Sequence, residues 1–70
     1  MEIISIDSLY ITLGKFLKLI NIISSGGQAK YFLVDNEVLV NGVLEQRRNL
    51  KLYDGSIVSI NGEEYQIQCI

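Results

Sequence analysis

Seventy residues, 49% of them hydrophobic, are enough for one small core and too few for two, so the chain is read as a single domain over 1–70. Six Lys plus Arg against eight Asp plus Glu give a formal charge of −2, which excludes a uniformly cationic nucleic-acid coat and requires any polyanion to meet a local patch. With no histidine and one cysteine, Cys69, the chain has no internal disulfide and lacks the usual residues of zinc, haem and acid–base chemistry.

A lone thiol fits a reducing compartment, and the expected location is the cytoplasm. The start Met1-Glu2-Ile3-Ile4 lacks the basic segment of a secretion signal, and no stretch approaches the roughly 20 apolar residues that span a bilayer. No membrane association is expected.

In chain order, Ile4 and Ile6 mark a short strand that ends at the turn-prone Asp7-Ser8. Leu13, Phe16, Leu17 and Ile20 then follow the i, i+3, i+4, i+7 spacing of one helical face, with Thr12 as N-cap and Asn21 near the end. Gly14 lies in the first turn of that helix, where glycine costs up to about 1 kcal/mol in propensity and so points to close packing. A second helix opens at Ser25, whose hydroxyl and Gln28 have the spacing of a capping box. Ala29, Phe32 and Leu33 form its apolar stripe, and Asp35-Asn36 close it, Asn36 being suited to a left-handed C-terminal position.

Two helices this short must pack on each other and on something else. That partner is β structure. Val38-Leu39-Val40, Asn41-Gly42 and Val43-Leu44 spell a two-residue type I′ hairpin. Ile57–Ile60 and Asn61-Gly62 repeat the signal, and Tyr65, Ile67 and Cys69 then alternate with Glu64, Gln66 and Gln68 on the last strand. The order is helix, helix, hairpin, hairpin, which is an α+β arrangement.

Leu13-Gly14-Lys15-Phe16-Leu17, Ser24-Ser25, Ala29, Leu33, Val38-Leu39-Val40-Asn41-Gly42 and Leu52-Tyr53-Asp54-Gly55-Ser56-Ile57-Val58 together resemble the RNA-binding domain first seen in the fourth small-subunit ribosomal protein. The compact form is similar to the small stand-alone YaaA-like bacterial members. The resemblance spans residues 12 to 60. It implies an αL motif, two antiparallel helices packed on a small antiparallel sheet of three to five strands, with structured RNA bound across the helices and an adjoining loop. Where many members carry Arg-Leu-Asp-Lys this chain has Thr12-Leu13-Gly14-Lys15, and Gly26-Gly27 stand where an arginine-rich pair is common. Lys30 replaces the helix-two arginine, while Arg47, Arg48 and Lys51 keep the basic loop.

Charge placement is legible without the family. Lys15, Lys18 and Lys30 fall within residues 12 to 34, and Arg47, Arg48 and Lys51 within 46 to 53, two windows that contain no acid. Such cations are either ordinary solvated side chains or one strip for a few phosphates. Ser25, Gly26 and Gly27 either present bare N–H groups to a phosphate or simply lead into a helix. Tyr31 and Tyr53 are candidates for base stacking, with half-buried packing under a wet hydroxyl the preferred use.

Catalytic groups are sparse. Glu63 and Glu64, adjacent on a strand, face opposite ways, Ser24 and Ser25 have no activating histidine, and Cys69 alternates with Ile67 as a small core or edge residue. The expected function is non-catalytic binding of structured RNA, ribosomal or tRNA-like, with no cofactor and no small-molecule substrate. The alternative is a protein-interaction module of the same fold with little RNA affinity, linked to replication or ribosome-assembly machinery.

Overall fold

Leu13, Phe16 and Leu17, the stripe that the spacing assigns to one helical face, are completely buried in the computed structural model, which describes all seventy residues, Met1–Ile70. They lie on α1 (Leu13–Leu19), and Ala29 and Leu33 bury the matching stripe of α2 (Ala29–Asp35). Strands β1 (Glu2–Ile6) and β2 (Tyr10–Thr12) precede the helices, and β3 (Val38–Val40), β4 (Val43–Leu44), β5 (Lys51–Tyr53), β6 (Ile57–Ile60) and β7 (Glu63–Cys69) follow them. The helices cover one face of a five-stranded sheet of order β1-β7-β6-β3-β4, and β2 pairs with β5 in a separate two-stranded ribbon.

The α+β class and the paired helices are as expected. The large sheet, however, is mixed where an antiparallel one was expected, because β1 runs parallel to β7 with Ile4 opposite Ile67 and Ile6 opposite Cys69. No hairpin turn fixes the direction of β1, since its neighbour in space is the far end of the chain. The helices and hairpins between them form the crossover that a parallel pair requires.

Both Asn-Gly pairs take positive φ at both positions, 51° and 85° at Asn41-Gly42 and 49° and 92° at Asn61-Gly62, as type I′ turns demand. Each asparagine also closes one end of the β3–β6 pair. Asn41 donates its N–H to the Ile57 carbonyl at 2.8 Å and its Oδ1 accepts from the Ile57 N–H at 2.9 Å. Asn61 does the same with Glu37, at 2.9 and 3.1 Å.

The helix ends differ from expectation in one respect. Asn36 is extended, with φ −130°, and it is Asn21 that is left-handed, with φ 63°. After α1 the chain reverses through a Schellman arrangement, Ile22 N–H to the Leu17 carbonyl at 3.0 Å and Asn21 N–H to the Lys18 carbonyl at 3.1 Å. After α2 it runs straight into β3, so Asn36 acts through its side chain instead, donating to the Phe32 carbonyl and accepting from Asn61 Nδ2, both at 3.0 Å.

The lead-in to α2 is a 3₁₀ turn at Gly26–Gln28, in which Gln28 Oε1 accepts from the Ser24 and Ser25 N–H groups at 2.7 and 3.2 Å. The core joins these elements through Ile6, Ile23, Val38, Leu52, Val58, Ile60 and Ile67, and Phe16 meets Tyr65 edge-on at 5.8 Å.

Candidate nucleic-acid interface

A helix start leaves its first N–H groups without intrahelical acceptors. In α1 the Thr12 hydroxyl accepts from Lys15 N–H at 3.4 Å, and two further donors are taken by the loop that carries the arginines: Leu13 N–H bonds the Leu50 carbonyl and Gly14 N–H the Arg48 carbonyl, each at 2.8 Å. Glycine leaves room for this close approach. A β-carbon at position 14 would lie 3.2 Å from the Arg48 oxygen and 3.5 Å from the β-carbons of Ala29 and Arg48. The crowding anticipated at Gly14 is therefore real, and it joins three segments: the start of α1, the arginine loop and the start of α2.

The junction continues in the β2–β5 ribbon, whose register sets Tyr10 opposite Tyr53, Ile11 opposite Leu52 and Thr12 opposite Lys51. Alternation turns Ile11 and Leu52 to the core and leaves Tyr10, Thr12, Lys51 and Tyr53 on the outer face. The tyrosine rings lie 6.0 Å apart, tilted by 52°, and Lys51 Nζ stands 4.9 Å from the centre of the Tyr10 ring. Two open depressions flank the ribbon. One, of 630 Å³, is lined by Arg47, Arg48, Asn49, Leu50, Lys51 and Tyr53. The other, of 440 Å³, is lined by Ser8, Leu9, Tyr10, Ile11, Thr12 and Lys15.

Arg47, Arg48, Lys51 and Lys15 thus border two adjoining hollows. Lys18 is exposed one turn further along α1, and Lys30 is exposed beside Ala29 at the start of α2, both outside the hollows. Ser25, Gly26 and Gly27 are exposed on the 3₁₀ turn that packs against α1. Neither glycine has a positive φ or anything within 4 Å of an added β-carbon, so the backbone does not require glycine at either position.

Arg47 differs from the other cations. Its Nε and Nη2 donate to the two oxygens of Glu45 at 2.8 and 3.0 Å, the Glu45 side chain being 12% exposed and that of Arg47 74%. The side-chain hydrogen bonds from Arg47 hold the Glu45 carboxyl down at about 2, and the same partner raises Arg47. The window of residues 46 to 53 is acid-free in sequence and not in space, because residues two apart in an extended loop point to the same side. No other Lys or Arg is ion-paired.

Tyr31 does not take the half-buried position preferred for it, being 68% exposed on α2 with no neighbouring element to cover it. Tyr53 is 53% exposed and packs on Tyr10. Tyr10 itself was not singled out as a candidate from sequence. Its strand has three residues and no turn signal, and its partner is distant along the chain.

Glu63 and Glu64 alternate along β7, and Glu63 accepts from the Tyr65 hydroxyl at 3.3 Å. Burial first, then the Glu63 charge, raises the Tyr65 hydroxyl above its ordinary value. Cys69 is half-buried against the core, its N–H bonded to Asp54 Oδ1 at 2.8 Å. No group of three or more Cys, Asp and Glu is arranged to hold a metal ion, and no helix is long and apolar enough to cross a membrane.

Known proteins resemble the chain in sequence and in fold. The chain is similar to a protein of Bacillus subtilis (strain 168) named probable ribosome maturation protein RlbA, 58% identical over 59 residues that cover 84% of this chain and 83% of the relative. Its fold is similar to the solution structure of YbcJ from E. coli, described as revealing an αL motif involved in RNA-binding. That match has a TM-score of 0.70 and 31% identity, and it covers 99% of this chain and 89% of YbcJ. The family model described as S4 domain matches residues 4–68, and the chain belongs to the S4-domain family.

Proposed function

We propose that the chain is a non-catalytic module that binds structured RNA, ribosomal RNA in the first instance, by shape and phosphate contact during ribosome maturation in the cytoplasm. The observation that carries this is the docking of the arginine loop on the start of α1, which gathers Lys15, Arg48 and Lys51 around one end with no carboxylate partner. Lys18 and Lys30, exposed on the two helices, are the further candidate contacts. The bare backbone at Ser25, Gly26 and Gly27 adds room for close approach, but a three-residue turn has too little aligned dipole to hold an anion by itself. Family membership, the RNA-binding description of YbcJ and the maturation name of the Bacillus relative support the same assignment.

Three to five phosphate contacts give a log-affinity slope against log salt of about −2 to −4.5. Filter binding of the purified chain to a structured ribosomal RNA fragment across about 50 to 300 mM salt measures it. A slope in that range supports the proposal. Absence of binding at the low end overturns it in favour of a protein-interaction module, the reading that the net charge of −2 and the Glu45 clamp on Arg47 favour.

A further inference from the structure

A cross-strand aromatic pair stabilises a sheet most when the rings are covered. Tyr10 and Tyr53 are left 40% and 53% exposed, while their strand neighbours Ile11 and Leu52 do the burying. The surroundings of the pair are cationic. Lys51 lies over the Tyr10 ring, Arg48 borders the hollow beside Tyr53, and Lys15 borders the hollow beside Tyr10. The one acid adjacent in sequence, Asp54, is turned away and accepts from the Cys69 N–H.

Phosphate contacts alone tolerate any helical RNA, because every stem offers the same backbone. An exposed aromatic ring beside free cations offers something a stem cannot use, since paired bases hide their faces. The larger hollow brings together Tyr53, Asn49, Arg48 and Lys51, groups of the kinds that stack on an unpaired base, bond its edge and hold its adjoining phosphate.

We propose that Tyr53, buttressed by Tyr10, is a stacking platform for an unpaired nucleobase, so that the RNA selected by this surface carries a bulged or looped nucleotide next to a stem. The inference rests on the RNA-binding assignment above and narrows its ligand.

The test uses the full 70-residue chain and two RNA duplexes that differ only by one bulged 2-aminopurine nucleotide. The bulged duplex binds about fivefold or more tightly than the paired one, and its aminopurine fluorescence is quenched on binding. Tyr53→Leu abolishes the preference and the quenching, and Tyr53→Phe retains both. Equal affinity for the two duplexes, unquenched aminopurine, or a Leu variant indistinguishable from the parent overturns the platform while salt-dependent binding leaves the RNA assignment standing. Failure to bind either duplex at about 50 mM salt overturns both.

Discussion

A methyl group at position 14 sets two effects against each other. Replacing a helical glycine by alanine gains up to about 1 kcal/mol in propensity. Here the new carbon meets a backbone oxygen at 3.2 Å, and that oxygen is held in place by the N–H of the same residue. Overpacking costs about 1–3 kcal/mol, so Gly14→Ala is expected to lower stability by about 1 kcal/mol in urea denaturation and to weaken RNA binding by displacing Arg48. The arginines separate in the same way. Arg48→Ala weakens binding at nearly unchanged Tm because an exposed charge adds little to stability, and Arg47→Ala has the smaller effect because Glu45 holds its guanidinium. Glu45→Gln releases Arg47 and steepens the salt slope by about 0.7 to 0.9. That substitution also has a pH signature. The carboxyl is held down at about 2 against an ordinary 4.5, so its contribution to stability is complete above about pH 4.5 and is lost as pH falls towards 2. Urea melts of parent and Glu45→Gln should differ above that window and converge below it. In sequence, crowding at Gly14 was legible from the cost of a glycine in a first turn, whereas Arg48 as its cause was not. The Glu45 clamp was hidden because a window drawn along the chain says nothing about which side chains share a side of a loop.

Elements with a local signal were legible, and elements made by distant partners were not. The amphipathic spacings of Leu13, Phe16, Leu17 and of Ala29, Leu33, and the two Asn-Gly hairpins, are local patterns that the core and turns confirm. The β2–β5 ribbon and the parallel β1–β7 pair join segments far apart along the chain, and no residue in Tyr10-Ile11-Thr12 announces a partner. Asn36 and Asn21 show the same division. Both suit a left-handed position by residue type, and only the direction the chain must take next decides which adopts it. The hairpin asparagines do more than turn the chain. Asn61→Ala removes the side-chain bonds to Glu37 and Asn36 and leaves a non-glycine residue at positive φ. A loss of about 1–2 kcal/mol, measured by denaturant titration, is expected, with the fold retained.

For the molecule as a whole, a net charge of −2 is compatible with a cationic end because Lys15, Arg48 and Lys51 have no carboxylate partner there. Family resemblance indicated that end, and the structure supplies its construction: a loop seated on a helix start and a ribbon that turns two tyrosines outward. The seating of that loop has a dynamic consequence. First-turn amides of a short helix ordinarily trade their protons with solvent quickly, since nothing within the helix protects them. Leu13 and Gly14 are protected by carbonyls of the basic loop, so their deuterium uptake, followed by NMR, should be as slow as that of Phe16 in mid-helix. RNA gripping the loop should slow that uptake further at two amides it never touches, making them a remote gauge of occupancy.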